Sequence, residues 1–302
     1  MIELTGVFPP IPTSFDDRGE VDADGMRRNL AWWNGFGLSG CVVLGSNGEA
    51  ELLENDERVR VVSLVRSSLP GDRLLIAGSG RPSTRATIRL TNDLARAGAD
   101  MALVLPPHFY KAQMVPPTLI AHYMAVADAS SIPIIIYNMP ANTGVDVCAE
   151  TILRIAEHEN VVGVKDSGGN LGKMASLVSD SPSGFSVLAG SAGFLLPALS
   201  VGAMGGVLAL ANIAPQVCID IVDRFTAGDV DGARRLQARW VEVNAAVTRR
   251  WGVPALKAAL DRIGLCGGAV RPPLQPLEPE KRAMLDELLR RAGVCFPKED
   301  RV

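Results

Sequence analysis

The sequence predicts a closed barrel of eight parallel β-strands wrapped by helices, the (β/α)8 or TIM barrel, followed by a C-terminal helical appendage. Short apolar runs rich in β-branched residues alternate with amphipathic helical patterns eight times within roughly the first 225 residues. Near-continuous apolar strands are typical of a parallel sheet that is covered on both faces. A doubly wound sheet, the other common arrangement, is disfavoured because no GxGxxG turn follows the first strand.

Each element follows from its own pattern, since strands are short apolar runs and helices carry apolar residues at helical spacing. Strands are expected at residues 7–13, 40–44, 74–77, 102–105, 133–137, 161–165, 186–189 and 205–208. Helices are expected at 24–36, 55–68, 83–97, 117–128, 148–158, 170–179, 192–201 and 215–227. Beyond residue 228 only helices are expected, at 229–247, 253–263 and 279–292, the last after a proline-rich connector at 271–276. We therefore expect a catalytic barrel over residues 1–227 and a helical region over residues 228–302.

Composition and charge favour a cytoplasmic enzyme that acts on small molecules. The net charge of −3 leaves no basic face for nucleic acid. The apolar stretch at 195–214 is interrupted by Pro197 and three glycines, which favours a buried helix running into a core strand over a membrane span. No signal peptide or transit segment precedes the first strand. Five cysteines without a CxxC pair, and three histidines without ligand spacing, predict reduced thiols and neither metal nor cofactor.

Lys165 carries the strongest chemical signal in the chain. It closes the apolar run 161–164, and the chain has only six lysines against 24 arginines. In this fold the active site lies at the mouth of the barrel, where the C-terminal ends of the strands meet. Burial there disfavours the ammonium form and frees the lone pair that attacks a carbonyl, so Lys165 is a candidate amine nucleophile. The alternative is a lysine that extends into water or pairs with Asp166.

Two other strand ends carry polar side chains that would meet this lysine. The segment 45–49, with sequence GSNGE, follows the second strand. Its glycines permit a tight turn whose N–H groups converge on an anion, and Ser46 and Asn47 add donors for a small carboxylate such as that of pyruvate. Tyr137 ends the fifth strand, where its hydroxyl would relay protons. The alternatives are an ordinary turn and a core tyrosine whose hydroxyl meets water.

Alternation along the sixth strand predicts what surrounds the lysine. Val161, Gly163 and Lys165 are expected on one face, with Gly163 leaving room below the lysine stem. Two nearby carboxylates, Glu49 and Asp166, are interpreted as partners of backbone amides or surface cations. They are therefore not expected to act as acid–base catalysts.

Taken together, these motifs resemble the pyruvate-dependent class I aldolase family that includes dihydrodipicolinate synthase and N-acetylneuraminate lyase. The resemblance covers essentially the whole chain and is closest to the 4-hydroxy-2-oxoglutarate aldolase branch. It implies that Lys165 forms a Schiff base with the keto acid and that Tyr137 shuttles protons. Ser46 and Asn47 would hold the pyruvyl carboxylate, and Ser167 would contact the distal part of the substrate. The segments that carry the likeness are 45–49, 137–144, 164–169, 188–194 and 244–250.

The same resemblance adds residues from neighbouring loops. Tyr110 occupies the loop in which the family has a tyrosine that reaches the neighbouring subunit's site, which implies a homo-oligomer, a tetramer or dimer. The turn at Gly190 and Ser191 would supply further donors to the substrate. Dihydrodipicolinate synthases usually have GTTGE at 45–49, and at Asn142 an arginine that binds the second substrate's carboxylate. Neutral Asn142 cannot form a bidentate charged pair, which weakens the synthase assignment.

The expected reaction is cleavage of a 4-hydroxy-2-oxo acid, with 4-hydroxy-2-oxoglutarate the first choice, to pyruvate and an aldehyde, glyoxylate. No metal is required, because a protonated imine replaces a Lewis acid. Dihydrodipicolinate synthesis, and cleavage or dehydration of a 2-keto-3-deoxy sugar acid, are the alternatives within the same chemistry. A non-catalytic barrel that binds keto acids is the alternative from another class.

Overall fold

A computed structural model describes residues 4–296 and confirms the barrel of eight parallel strands. The strands are β1 Gly6–Phe8, β2 Gly40–Val43, β3 Leu74–Gly78, β4 Met101–Val104, β5 Ile134–Asn138, β6 Val161–Asp166, β7 Ser186–Ala189 and β8 Gly205–Val207. They are hydrogen-bonded in the order β1-β8-β7-β6-β5-β4-β3-β2. A parallel bridge between Pro10 and Val42 closes the ring between β1 and β2.

The helices alternate with the strands and then continue alone, as predicted. They are α1 Ala23–Trp33, α2 Asn55–Ser68, α3 Thr84–Arg96, α4 Pro116–Ala129, α5 Pro140–Thr143, α6 Ala149–Ala156, α7 Leu171–Asp180, α8 Leu195–Ser200, α9 Pro215–Thr226, α10 Val230–Ala245, α11 Gly252–Arg262 and α12 Pro279–Ala292. The stretch 195–214 contains α8 and β8, as the pattern indicated. Within residues 4–296, no helix is long and apolar enough to cross a membrane. The ends of the two predicted regions, 1–3 and 297–302, lie outside the described residues.

The first strand is much shorter than the predicted 7–13. It ends at Phe8 because Pro9, Pro10 and Pro12 have no N–H group to donate to a neighbouring strand. The chain nevertheless stays beside β2, where Ile11 N–H donates to the Val42 carbonyl oxygen at 2.8 Å. The prolines therefore end the regular ladder without opening the barrel.

The barrel interior is a packed apolar core, separate from the larger cluster between strands and helices. Side chains from seven of the strands, with Leu4, fill it below the mouth: Leu4, Phe8, Val42, Ile76, Met101, Leu103, Ile135, Tyr137, Leu188 and Val207. A filled interior leaves room for a ligand only at the ends of the strands. The fold thus directs attention to the side chains at the mouth.

The sixth strand departs from the predicted alternation. Ile134 pairs with Val161, but the next residue, Ile135, pairs with Gly163, so Val162 is an extra residue in a β-bulge. Val161 consequently packs in the outer cluster, whereas Val162 packs against the interior. The prediction that Val161 shares the face of the lysine is therefore wrong, because a bulge reverses the alternation that precedes it.

Gly163 has a different role from the predicted one. A Cβ atom at this position would lie 2.5 Å from the carbonyl oxygen of Ser186 on β7. The glycine therefore permits close approach of two strands and does not leave free room below the lysine stem.

His122 provides a pH-dependent test of the fold. Its Nδ1 lies 2.8 Å from Thr84 Oγ1, and its Nε2 has no hydrogen-bond partner in the described part of the chain. Burial lowers the pKa of His122 to about 4, whereas an unfolded histidine titrates near 6.5. Between pH 6.5 and about pH 4, His122 binds a proton in the unfolded chain but not in the native state. Stability should therefore fall by about 2 kcal/mol between about pH 7 and pH 5.

Urea unfolding of the wild type and His122→Gln at the two pH values measures this effect. The substitution removes the titrating group, so the variant should show a weaker pH dependence by about that amount. Equal pH dependence in the two proteins would contradict the buried, neutral state of His122.

Candidate active site

Lys165 and Tyr137 lie side by side at the mouth of the barrel. They are directly paired residues of β6 and β5, and the Lys165 Nζ lies 3.9 Å from the centroid of the Tyr137 ring. Each side chain is only 4% exposed. The alternative in which Lys165 extends into water is therefore wrong.

The turn after β2 brings a hydroxyl group to the same place. Ser46 Oγ lies 3.3 Å from the Tyr137 hydroxyl. Among the described residues, no hydrogen bond uses the N–H groups of Ser46 and Asn47, whereas the N–H groups of the next residues close the turn itself. The turn therefore presents one hydroxyl and two amide donors to the mouth, an arrangement that suits a small anion.

The environment of Tyr137 makes its proton easier to remove. Burial by itself would raise the pKa of Tyr137, but the positive charge of Lys165 and hydrogen bonding from Ser46, Lys165 and Ser167 outweigh burial and lower it. A phenol with a lowered pKa beside an amine can both donate and accept a proton near neutrality more readily than a free tyrosine.

The lowering of the Tyr137 pKa can be measured because the chain has only three tyrosines. In a pH titration followed by tyrosinate absorbance, the difference between wild type and Tyr137→Phe isolates the Tyr137 phenol. Its midpoint should lie below the ordinary value of about 10. In Lys165→Met the midpoint should rise, because the neighbouring positive charge is gone. A wild-type midpoint at or above the ordinary value would contradict the described electrostatics.

A cavity of about 250 Å³ opens at this end of the barrel. Ser46 and Tyr137 line it, as does Asn142 on the short helix α5. The proline-rich connector covers it through Pro273 and Leu274. A space of this size suits a small organic acid, and its walls include residues from both the barrel and the C-terminal region.

Asp166 does not pair with Lys165. Its carboxylate is fully buried on the opposite face of β6, where it accepts hydrogen bonds from Gly168 N–H at 2.7 Å and from Asn138 Nδ2 at 2.9 Å. Lys173 completes its shell with an ion pair at 3.0 Å. The interpretation of Asp166 as a partner of amides and a cation is confirmed, although the cation is nearly buried and not at the surface.

The turns after β6 and β7 meet beside Lys165 and Tyr137. Ser167 Oγ is buried and faces the Tyr137 hydroxyl, whose pKa it helps to lower. Any side chain at Gly190 would collide with that hydroxyl, which explains the glycine. Ser191 Oγ accepts a hydrogen bond from Asn244 Nδ2 at 3.1 Å. Asn244 belongs to α10, and nothing in its local sequence indicated this contact.

Tyr110 is not brought to the site within one chain. It lies in the loop after β4, 71% exposed, with its ring edge-on to Phe109, which is 76% exposed. Two adjacent aromatic side chains in water are unusual for a surface that no partner covers. The role of Tyr110 in a neighbouring subunit stays a prediction.

Comparisons with known proteins show which enzymes this chain is similar to. The chain is 34% identical over 285 residues to the 4-hydroxy-tetrahydrodipicolinate synthase of Methanothrix thermoacetophila, covering 94% of this chain and 95% of that protein. It is 36% identical over 294 residues to the probable mitochondrial 4-hydroxy-2-oxoglutarate aldolase of Emericella nidulans, covering 94% and 93%. Both kinds of enzyme are therefore similar to this chain at nearly equal distance.

Solved structures show the same architecture. Dihydrodipicolinate synthase DapA-2 of Bacillus anthracis superposes with a TM-score of 0.92 at 29% identity, covering 96% of this chain and 99% of that one. The prophage protein YagE of E. coli K12, solved in complex with pyruvate, superposes with a TM-score of 0.90 at 28% identity, covering 97% and 99%.

The fold and these relatives define the class of the protein: it is a pyruvate-dependent lyase of the class I aldolase type. The sequence model of the dihydrodipicolinate synthetase family matches residues 3–292. The chain belongs to this family.

Proposed function

We propose that the protein cleaves a 4-hydroxy-2-oxo acid, with 4-hydroxy-2-oxoglutarate the first choice, to pyruvate and glyoxylate through a Schiff base on Lys165. The main support is the buried Lys165 amine in contact with Tyr137, beside a turn with unused amide donors, in a barrel of this family. An amine in such a place is shielded from water and supplied with a proton relay.

The reaction follows from these positions. Lys165 gives its extra proton to Tyr137, and the neutral Nζ then adds to the C2 carbonyl. Tyr137 with Ser46 passes protons to the C2 oxygen until it leaves as water and the protonated imine forms. The C4 hydroxyl gives its proton to Tyr137, the C3–C4 bond breaks, and its electron pair moves into the protonated imine. This step releases the aldehyde and leaves an enamine. Protonation at C3 and hydrolysis then release pyruvate and the free lysine. The Ser46 and Asn47 amides hold the C1 carboxylate throughout.

The residue types near the site support the choice of substrate. Asn142 lines the cavity where dihydrodipicolinate synthases usually carry an arginine. Ser167 Oγ, and donors of the turn at Gly190 and Ser191, would contact the distal part of the substrate. Neutral Asn142 cannot form a bidentate charged pair with the carboxylate of a second substrate, which disfavours dihydrodipicolinate synthesis. The distal carboxylate of 4-hydroxy-2-oxoglutarate would be bound by a different cation.

Reductive trapping tests the covalent step. Borohydride added in the presence of pyruvate should attach a pyruvyl group to the peptide that contains Lys165, and omission of pyruvate should prevent it. Lys257 is an internal control, because it is equally buried but lies in an ion pair outside this pair of strands. A Lys165 that remains unmodified would remove the mechanism.

A substrate panel separates the reactions within this chemistry. Pyruvate release should be fastest from 4-hydroxy-2-oxoglutarate and slower from 2-keto-3-deoxy sugar acids. Consumption of pyruvate that depends on aspartate semialdehyde would instead identify a dihydrodipicolinate synthase. Several relatives carry a name of that kind. Binding of keto acids without trapping or turnover would identify a non-catalytic barrel.

We further infer a cytoplasmic homo-oligomer, a dimer or tetramer. The exposed pair Phe109 and Tyr110 supports a covered surface, and Tyr110 would reach a neighbouring site from it. All five cysteines are free, which suits a reducing compartment. Sedimentation velocity should show more than one chain per particle, and a stable, active monomer would contradict this assembly.

A further inference from the structure

The turn that presents Ser46 is bounded by two residues with unfavourable backbone geometry. Leu44 has φ 57° and Glu49 has φ 53°, so both non-glycine residues adopt the left-handed conformation. Residues with a side chain adopt this conformation only where their surroundings hold them, and such residues concentrate at functional sites. The contacts of Glu49 therefore bear on the shape of the turn.

Glu49 is held by two groups from the C-terminal region. Its carboxylate is 4% exposed, and one oxygen forms an ion pair with Lys257 Nζ on α11. The other oxygen accepts the backbone N–H of Arg271 at 2.8 Å. Lys257 is itself 2% exposed and also donates to the Ala269 carbonyl oxygen at 2.6 Å. Burial lowers the pKa of Lys257, while the negative charge of Glu49 opposes that shift.

The side chain of Arg271 fastens the connector to the start of α2. Its guanidinium forms two hydrogen bonds with the Glu57 carboxylate, at 2.6 and 2.7 Å, and one with the Leu52 carbonyl oxygen at 2.7 Å. It also stacks over the Phe15 ring at 4.4 Å, and Lys257 lies over the same ring at 4.5 Å. Both residues that hold Glu49 are therefore fixed in place by contacts of their own.

We infer that Glu49 is a positioning residue, which Lys257 and Arg271 hold so that the Ser46 and Asn47 amides converge on the pyruvyl carboxylate. This inference rests on the proposed function, because it takes that turn to be the carboxylate site. It makes the C-terminal helices part of the substrate site, although they contribute none of the proposed catalytic groups.

The test measures the pyruvate concentration that gives half-maximal borohydride trapping on Lys165. In Lys257→Met this concentration should rise about tenfold or more, as expected when a hydrogen bond to the carboxylate is misplaced. The yield at saturating pyruvate should stay near that of the wild type, since the amine is untouched. Trapping at wild-type pyruvate concentrations in this variant would overturn the inference.

Arg66→Met is the matched control. Arg66 pairs with Asp100 at 3.1 Å and donates to the Pro70 carbonyl oxygen, at the end of the barrel opposite the mouth. This variant also loses an ion pair and some stability, yet its half-saturating pyruvate concentration should equal that of the wild type. A rise as large as in Lys257→Met would show that any loss of stability has this effect, and would overturn the inference.

A second variant separates positioning from stability. Glu49→Gln combined with Lys257→Met leaves no unpaired buried charge, so its melting temperature should recover toward that of the wild type. The half-saturating pyruvate concentration should remain raised, because α11 no longer holds the turn. Recovery of both quantities together would overturn the positioning role. Absence of trapping in the wild type would instead refute the proposed function, so the two failures are distinguishable.

Discussion

Replacing Lys165 with methionine should abolish pyruvate release, lowering kcat by at least about 10⁴-fold, the scale of loss when a covalent nucleophile is removed. Methionine matches the length and apolar stem of lysine but has no amine to add to the carbonyl. The coupled assay for pyruvate measures the loss, and borohydride trapping should fail in the same variant. The protein should remain folded, because the substitution replaces a buried amine with an apolar side chain.

The control for this experiment is Lys281→Met. Lys281 lies on α12, where it pairs with Glu278 at 3.0 Å in an exposed position. The same chemical change there should leave kcat unaltered. A Lys165→Met enzyme that retains kcat within about tenfold of the wild type would contradict covalent catalysis by this lysine.

Replacing Tyr137 with phenylalanine should lower kcat by about 10² to 10⁴-fold, the usual contribution of a positioned acid–base group. The ring that fills the barrel interior is kept, so only the hydroxyl near Ser46 is lost. Trapping with pyruvate should still occur but more slowly, since Lys165 is intact and its proton relay is not. Single-turnover trapping rates separate the loss of the relay from the loss of the nucleophile.

Tyr123→Phe is a closely matched control. Tyr123 is fully buried, and its hydroxyl donates to the Val104 carbonyl oxygen at 3.0 Å on the outer side of the barrel. This variant loses a buried hydrogen bond, at a cost of about 1 kcal/mol, without touching the site. If kcat fell equally in the two variants, the Tyr137 effect would reflect packing and not proton transfer.

Both predictions depend on how the two strand ends are held. Tyr137 and Lys165 point into the mouth, while the next residue of each strand, Asn138 and Asp166, points outward. Asn138 Nδ2 bonds to Asp166 at 2.9 Å, and Lys173 adds an ion pair to the same carboxylate. This network joins β5 to β6 directly behind the reactive pair, so it fixes their spacing without competing for Lys165.

Much of the site was predictable because this fold brings residues at the C-terminal ends of different strands to one place. A strand pattern ending in Lys165, another ending in Tyr137 and a glycine turn containing Ser46 are all visible in the sequence. In a barrel of parallel strands, their C-terminal ends must meet at one mouth. The chemistry of the candidate pair therefore followed from residue type, strand end and fold class.

Alternation along a single strand was less informative, because it assumes an unbroken ladder. The bulge at Val162 depends on how β6 pairs with β5. The early end of β1 follows from Pro9, Pro10 and Pro12, which are visible in the sequence but which the prediction of a strand at 7–13 did not take into account. The periodicity of one segment carries no information about its register against another. The existence of these strands was therefore predictable, whereas the face of β6 on which Val161 lies was not.

By itself the sequence determined the barrel, the helical appendage and the identity of the groups at the mouth, since these depend on local pattern and on one rule of the fold. Only the tertiary structure decided what holds those groups. Glu49 meets Arg271 from 222 positions away, and Ser191 meets Asn244 from 53 positions away. Contacts between residues so far apart depend on how the elements pack. They produce no repeating pattern in the local sequence from which they could be predicted.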